Sequence, residues 1–307
     1  MNDLITLSAE VADALAAKRP VVALESTIIT HGMPWPRNLE MARRVEGVIR
    51  DNGAVPATIA VIDGRIHAGL DDATLEALAQ ASDALKLSRA DLAYAVHARR
   101  TGATTVAATM IGARLAGIDV FATGGIGGVH RGASESFDIS ADLEELSKTE
   151  TIVVCAGAKA ILDLEKTLEV LETKGVPVIG YGTDELPAFW SRTSGLAAPL
   201  RFDSAAEIAG FAGTRRQLGL EGGVLVANPV PEAAAIDAAV VKTWIEAALA
   251  EAEARGIKGK AVTPFLLSKM FDLSEGRSLE TNIALVLNNA ELAAKIAVAL
   301  ATERGAA

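Results

Sequence analysis

A few short segments carry side chains whose types could do chemistry together. In Ala23-Leu24-Glu25-Ser26-Thr27 a carboxylate stands in an apolar run, with His31 and Gly32 close behind it. A carboxylate in such a strand is unfavourable unless it is paired or kept protonated. Glu25 therefore reads either as half of a structural ion pair or as a general acid whose pKa burial has raised. The run Cys155-Ala156-Gly157-Ala158-Lys159-Ala160-Ile161 sends Lys159 out of an apolar strand among small residues. Lysines are usually solvated, but desolvation or a nearby second cation would depress the pKa and free the amine as a nucleophile. Lys86, in Ala84-Leu85-Lys86-Leu87-Ser88, is a candidate for that cation or for a phosphate anchor.

Between these lies Ala122-Thr123-Gly124-Gly125-Ile126-Gly127-Gly128-Val129-His130-Arg131-Gly132. Glycines at this density let the backbone approach a ligand and turn its N–H groups toward an anion. The run is not a dinucleotide fingerprint, because His130 stands where the third glycine belongs. In Phe137-Asp138-Ile139-Ser140-Ala141-Asp142-Leu143, a carboxylate precedes a helix start capped by Ser140. One carboxylate beside free helix amides suits a hard cation that keeps its water and meets a phosphate. Asp142 reads as first-turn helix decoration. Asn282, entering the last helix, is a candidate contact for a base or sugar, and Asn228-Pro229-Val230-Pro231 closes a strand.

Apolar strand-like runs alternate with helical patterns and must position these residues. Ser8–Lys18 is predicted as an amphipathic helix, Val21–Ile29 as a buried strand, and a helix from Pro36 runs through Arg50 to a stop at Gly53. Thr58–Ile62 and Arg65–Leu70 flank Asp63-Gly64, a dipeptide suited to a two-residue hairpin turn. Asp71–Ala81 and a segment from Ser88 to Arg99 read as helices, the second with a capping-box-like Ser88/Asp91 start. Strands are predicted at Ile118–Thr123, Thr151–Ala156, Val176–Tyr181 and Val224–Ala227. Helices are predicted at Ala141–Ser147, Ile161–Lys174 and Ala205–Leu218, and two long helices finish the chain. This alternation predicts one α/β domain over residues 1–307: a largely parallel mixed sheet, covered on both faces. Ligands of such sheets sit at the carboxyl ends of the strands, where the segments above fall.

Composition narrows the function. The chain has 307 residues and a net charge of −10, with no Lys/Arg tract longer than a pair such as Arg99-Arg100. It therefore offers no basic face for a nucleic-acid polymer, and a nucleotide-like substrate should be a single small molecule. A single cysteine, Cys155, excludes an internal disulfide framework and a cysteine-based zinc cluster; it reads as a small core residue. No Gly-x-x-x-x-Gly-Lys-[Ser/Thr] loop is present, which disfavours a P-loop kinase. The N-terminus lacks the pattern of a signal peptide. Asn288, Asn289, Glu291 and Lys295 interrupt the most apolar stretch, Ile283–Leu300, so no membrane span is expected. A soluble cytoplasmic protein is the expectation.

In order and spacing these segments resemble the pseudouridine-5′-phosphate glycosidase family, also described as indigoidine-synthase-A-like. The resemblance runs from about residue 5 to residue 300. It rests on Ala-Leu-Glu-Ser-Thr at 23–27, Thr-His-Gly-Met-Pro at 30–34 and the glycine–histidine run at 121–132. Phe-Asp-Ile-Ser-Ala-Asp-Leu at 137–143, Ala-Gly-Ala-Lys at 156–159 and Asn-Pro-Val-Pro at 228–231 complete it. It implies cleavage of the C1′–C5 bond of pseudouridine 5′-phosphate to ribose 5-phosphate and uracil. It also implies a divalent ion, commonly manganese, with magnesium or another divalent ion as the alternative, a three-layer α/β/α fold and a homotrimer. By resemblance Lys159 is the Schiff-base lysine, Glu25 the proton donor and Asp138 the metal-site carboxylate. Lys86, Val106, Thr123, His130, Ser140, Ala141, Asp142 and Asn282 fall on substrate-contact positions. Ordinary glycosidases protonate an oxygen leaving group with a carboxylic acid. A carbon leaving group has no lone pair, which is why the route implied here opens the ribose and traps C1′ on an amine.

Overall fold

A computed structural model describes residues 4–257 and 262–306. The strands are β1 Ile5–Leu7, β2 Val21–Leu24, β3 Val55–Ile62, β4 Arg65–Ala68, β5 Leu85–Leu87, β6 Gly102–Thr104 and β7 Val120–Ala122. They continue with β8 Val129–His130, β9 Ile152–Cys155, β10 Leu162–Asp163, β11 Val178–Tyr181, β12 Leu200–Phe202 and β13 Val224–Ala227. The helices are α1 Ala9–Ala16, α2 Thr27–His31, α3 Arg37–Asp51, α4 Asp72–Gln80, α5 Leu92–His97, α6 Val106–Ala116 and α7 Ala133–Ser136. After these come α8 Ala141–Leu146, α9 Leu164–Thr173, α10 Ala205–Gln217, α11 Ala238–Ala254, α12 Val262–Leu273 and α13 Arg277–Ala306.

Eleven strands form one sheet in the order β1-β4-β3-β2-β7-β9-β13-β11-β12, with β6 added to β3 and β5 to β6. Its centre is parallel: β2 pairs with β3 and β7, β9 with β7 and β13, and β11 with β13. The β3–β4 hairpin and the β3–β6 pair are antiparallel, which makes the sheet mixed as expected. Asp63 at φ 49° and Gly64 at φ 79° form the hairpin turn. The central strands are buried throughout because helices cover both faces. Helices α3 and α10 each pack on α13, which lies over β2, β7 and β9. Helix α6 packs with α8 and against β1, β3 and β4. The result is the three-layer α/β/α arrangement.

Several boundaries differ from the sequence reading, and each has a physical reason. The predicted strand Val21–Ile29 ends at Leu24. There the Ser26 hydroxyl donates to Ile59 O at 2.7 Å and accepts from Thr104 N at 2.8 Å, drawing the chain out of the sheet and into α2. The helix predicted from Ile161 begins only at Leu164. Asp163 caps it by accepting from Lys166 N, while Leu162 and Asp163 pair antiparallel with β8. Helix α5 is shorter than Ser88–Arg99, because it is Asp91 that stands at its N-cap and accepts from Ser88 N at 2.9 Å. Three helices rather than two finish the chain; Glu275 at φ 51° and Gly276 at φ 82° break α12 from α13. Helix α13 is also long and apolar enough, by length and composition, to cross a membrane. Its polar interruptions are outweighed by Ala, Leu, Ile and Val. Yet Leu285, Ala290, Ala293, Ala294 and Ile296 are buried inside this protein, where they form part of the core.

Candidate active site

The carboxyl ends of β2, β5, β7 and β9 open onto one cleft of about 560 Å³. Glu25, Thr27, His31, Arg37, Lys86, Gly124, Gly125, Lys159, Phe189, Trp190 and Asn282 line it, so residues more than 250 positions apart share one space. Glu25 stands one residue past β2, half-buried, rather than inside the strand as the sequence suggested. Its two carboxylate oxygens accept from the hydroxyls of Thr27 and Thr123, which holds the group toward the cleft. Thr123 thus reaches the site through Glu25.

Lys159 lies outside any helix or strand. It sits in the turn after β9, between buried Ala158 and Ala160, and its N–H donates to Ile126 O at 3.1 Å. Lys86 extends from β5 into the same cleft. Its pKa is held below the usual lysine range, first by partial burial and then by the Lys159 ammonium; Glu25 and Asp142 pull it the other way. Lys159, Glu25 and Asp142 thus each lie within electrostatic reach of Lys86. His31 is also shifted down, by partial burial and then by Lys86, which favours its neutral form.

Gly124 and Gly125 of the glycine run line the cleft, while the next two residues turn their amides inward. Ile126 N donates to Gly157 O at 3.1 Å and Gly127 N to Asp142 Oδ2 at 2.8 Å, so these amides are spent inside the protein. What requires glycine is close approach. A Cβ at Gly125 would stand 2.6 Å from the Phe189 ring, and one at Gly127 would be 2.7 Å from Asp142 Oδ2 and nearer still to Ser140 Oγ. Asp142, read from the sequence as helix decoration, is instead 5 % exposed and braces two elements. Its Oδ1 accepts from Ala107 N at 2.9 Å, at the start of α6, while Oδ2 holds the glycine loop. Ser140 caps α8 by accepting from Asp142 N at 3.2 Å, as predicted, and Ala141 is the first residue of that helix. Val106 is the first residue of α6 and is buried, and it does not line the cleft. Just before it, the Thr105 hydroxyl is buried without a hydrogen-bond partner among the described residues.

His130 and Asp138 form a neighbouring pair that does not line the cleft. His130 N donates to Asp138 O at 3.0 Å, and His130 Nδ1 lies 4.0 Å from Asp138 Oδ2. Asp138 is well exposed, and among the described residues no three His, Cys, Asp or Glu side chains are grouped to hold a metal. A cage built of protein ligands alone therefore does not fit. The chemistry of one exposed carboxylate suits a hard, largely hydrated cation.

A match to the family model described as "Indigoidine synthase A like protein" covers residues 10–299. The chain belongs to the indigoidine synthase A-like family. Among its relatives, a protein of Paracoccus denitrificans named pseudouridine-5′-phosphate glycosidase is 66 % identical, over 98 % of this chain and all of its own. One of the same name from Caldanaerobacter subterraneus is 59 % identical, over 98 % of both chains. Of solved structures, the prealnumycin C-glycosynthase AlnA in complex with ribulose 5-phosphate superposes with a TM-score of 0.94 at 40 % identity over the whole of both chains. An indigoidine synthase A-like protein of Thermotoga maritima gives 0.87 at 36 % identity over 97 % of each.

Two features of this indigoidine synthase A-like site are not evident from the sequence alone. Trp190 and Phe189 form a cleft wall after β11, in a loop without a chemical motif. Asn289, fully buried in α13, donates to Thr123 O at 2.8 Å and accepts from Asn228 at 3.1 Å. The sequence carries its signal, since an asparagine on the buried face of a helix needs polar partners, but within an apolar stretch it stands out only as an interruption.

Proposed function

We propose that this chain is a pseudouridine-5′-phosphate glycosidase, cleaving the C1′–C5 bond to give ribose 5-phosphate and uracil, reversibly. The observation that carries this reading is the shared cleft of Lys159, Glu25 and Lys86. Glu25 protonates the ribose ring oxygen, the C1′–O bond breaks, and the Lys159 amine adds to C1′. A proton then reaches uracil C5. The C1′–C5 electron pair returns to the pyrimidine ring while the lysine nitrogen forms a C=N bond with C1′. Water hydrolyses that Schiff base, releasing ribose 5-phosphate and restoring Lys159. The arrangement supports each role: hydroxyls hold Glu25 in place, and Lys86 is the second cation beside Lys159.

Lys86, the α8 start at Ser140–Asp142, the α6 start at Val106 and the unpartnered Thr105 hydroxyl are the donors proposed for the phosphate. Asp138, with His130 beside it, would hold one manganese or magnesium ion. Such an ion would supply positive charge and ordered water next to the phosphorylated sugar. A homotrimer is part of the same proposal; the exposed Phe137 and Ile139 flanking Asp138 supply apolar surface that a neighbouring subunit would cover.

Uracil release from pseudouridine 5′-phosphate with manganese tests the activity. Borohydride with ribose 5-phosphate should fix the sugar to Lys159, and Lys159→Ala should lose both the adduct and turnover. An active alanine variant overturns the Schiff-base route.

A further inference from the structure

Trp190 and Asn282 meet on the cleft wall although 92 positions separate them. The indole Nε1 donates to Asn282 Oδ1 at 2.6 Å. An indole N–H can only donate, so it must face the amide oxygen; the amide nitrogen there would set two donors against each other. The orientation of the amide follows, with Oδ1 turned to the indole and Nδ2 left without a protein partner among the described residues.

Trp190 is itself firmly held. It is 1 % exposed, and its ring packs on Phe189 with centroids 5.5 Å apart. Its carbonyl accepts from Ile236 N at 2.8 Å, and the adjoining Ser191 hydroxyl donates to Ile236 O at 2.7 Å. Asn282 therefore presents an amino group whose direction is set before any ligand arrives.

We infer that Trp190 is the specificity-determining positioning residue of this cleft. By holding the Asn282 amide with its –NH₂ toward the substrate, it selects a nucleobase that offers a ring carbonyl at that point. A base offering an exocyclic amine there meets donor against donor and is rejected. The inference rests on the proposed C-nucleotide substrate, since it concerns which base that substrate carries.

Three 5-ribosyl C-nucleotide 5′-phosphates test it: uracil, and the two analogues in which the C2 or the C4 carbonyl is replaced by an amine. Wild type should prefer uracil over one of these analogues by about 10- to 100-fold in kcat/KM, the effect of leaving one hydrogen-bonding group unmatched. Trp190→Phe keeps a ring but removes the N–H, frees the amide to turn, and should bring that ratio toward one. The ratio is independent of how much enzyme is folded, so partial destabilisation does not blur the result. Should Trp190→Phe fail to fold, Asn282→Asp still decides. An oxygen then replaces the amino edge, and the preference should reverse toward the amine-bearing base. A wild-type ratio in Trp190→Phe, with uracil still released, overturns the role of Trp190; a wild-type ratio in Asn282→Asp overturns the amide contact through which that role would act, and the inference with it. No uracil release by wild type overturns the substrate reading, and this inference with it.

Discussion

Two lysines share the cleft, and their proximity has a consequence that pH can read. Partial burial and the Lys159 charge hold Lys86 below the usual lysine range. The charge on Lys86 is therefore lost, as pH rises, earlier than that of a solvated lysine. In that window the unfolded chain binds more protons than the folded one, so folding stability rises with pH even as the anchor weakens. Affinity for ribose 5-phosphate should fall on the alkaline side below the ordinary lysine titration. Lys86→Arg, whose guanidinium stays charged, should shift that fall to higher pH. Calorimetric titration at several pH values checks it, and identical alkaline limbs would remove Lys86 from phosphate binding. Asp138 makes a separate prediction. Replacing it with Asn should raise the manganese concentration for half-activation roughly tenfold or more, as expected for losing one charge-assisted contact. Cys155 is the counter-case: complete burial pushes its thiol up to about 12, which fits its reading as a core residue.

The turns and helices that carry these groups meet with almost no slack. At Gly127 any side chain would enter the space of Ser140 and Asp142, the two residues that tie the loop to α8 and α6. Gly127→Ala should destabilise the protein by about 1–3 kcal/mol, the usual range for overpacking, and lower kcat through displacement of the loop. At Gly47, inside α3, a Cβ would meet nothing within 4 Å beyond its own turn of helix among the described residues. Gly47→Ala should therefore stabilise by roughly 0.5–1 kcal/mol through helix propensity alone, with kcat unchanged. Thermal or urea unfolding of the two variants checks the contrast, and equal effects would contradict the packing described for the loop. Asn289 illustrates the same dependence at the helix scale, because α13 places its amide under Thr123, the residue that holds Glu25.

At the scale of the molecule, a net charge of −10 repels a dianionic nucleotide, so binding must come from local donors at the strand ends. If two or three charge-assisted bonds hold the phosphate, each worth about 1.5–3 kcal/mol, free pseudouridine should be poorer by roughly 10²-fold or more in kcat/KM. Lys86→Ala should narrow the gap between nucleoside and nucleotide. Equal rates for both substrates in the wild type would remove the anchor. Because such a ligand binds only the folded cleft, ribose 5-phosphate at 100 times its Kd should add about 2.7 kcal/mol to unfolding stability.

Much of this was legible in the sequence by itself. Alternating apolar runs and helical patterns determined the layered, largely parallel fold, because strands buried on both faces must be apolar throughout. Glu25, Lys86 and Lys159 stood out because charged groups on apolar strands or at their exits need a reason to be there. Tertiary structure decided what depends on distant partners. Ser26 ends β2 by bonding to Ile59 and Thr104, from strands that lie elsewhere in the chain. That Gly125 and Gly127 leave no room for a side chain is set by neighbours that arrive from Phe189 and Ser140. Asp142 becomes a buried brace, and Trp190 turns the Asn282 amide, only once the chain has folded. Local pattern records which face of an element is buried, but hydrogen-bond partners and steric limits are set by residues far away in sequence, and those exist only in three dimensions.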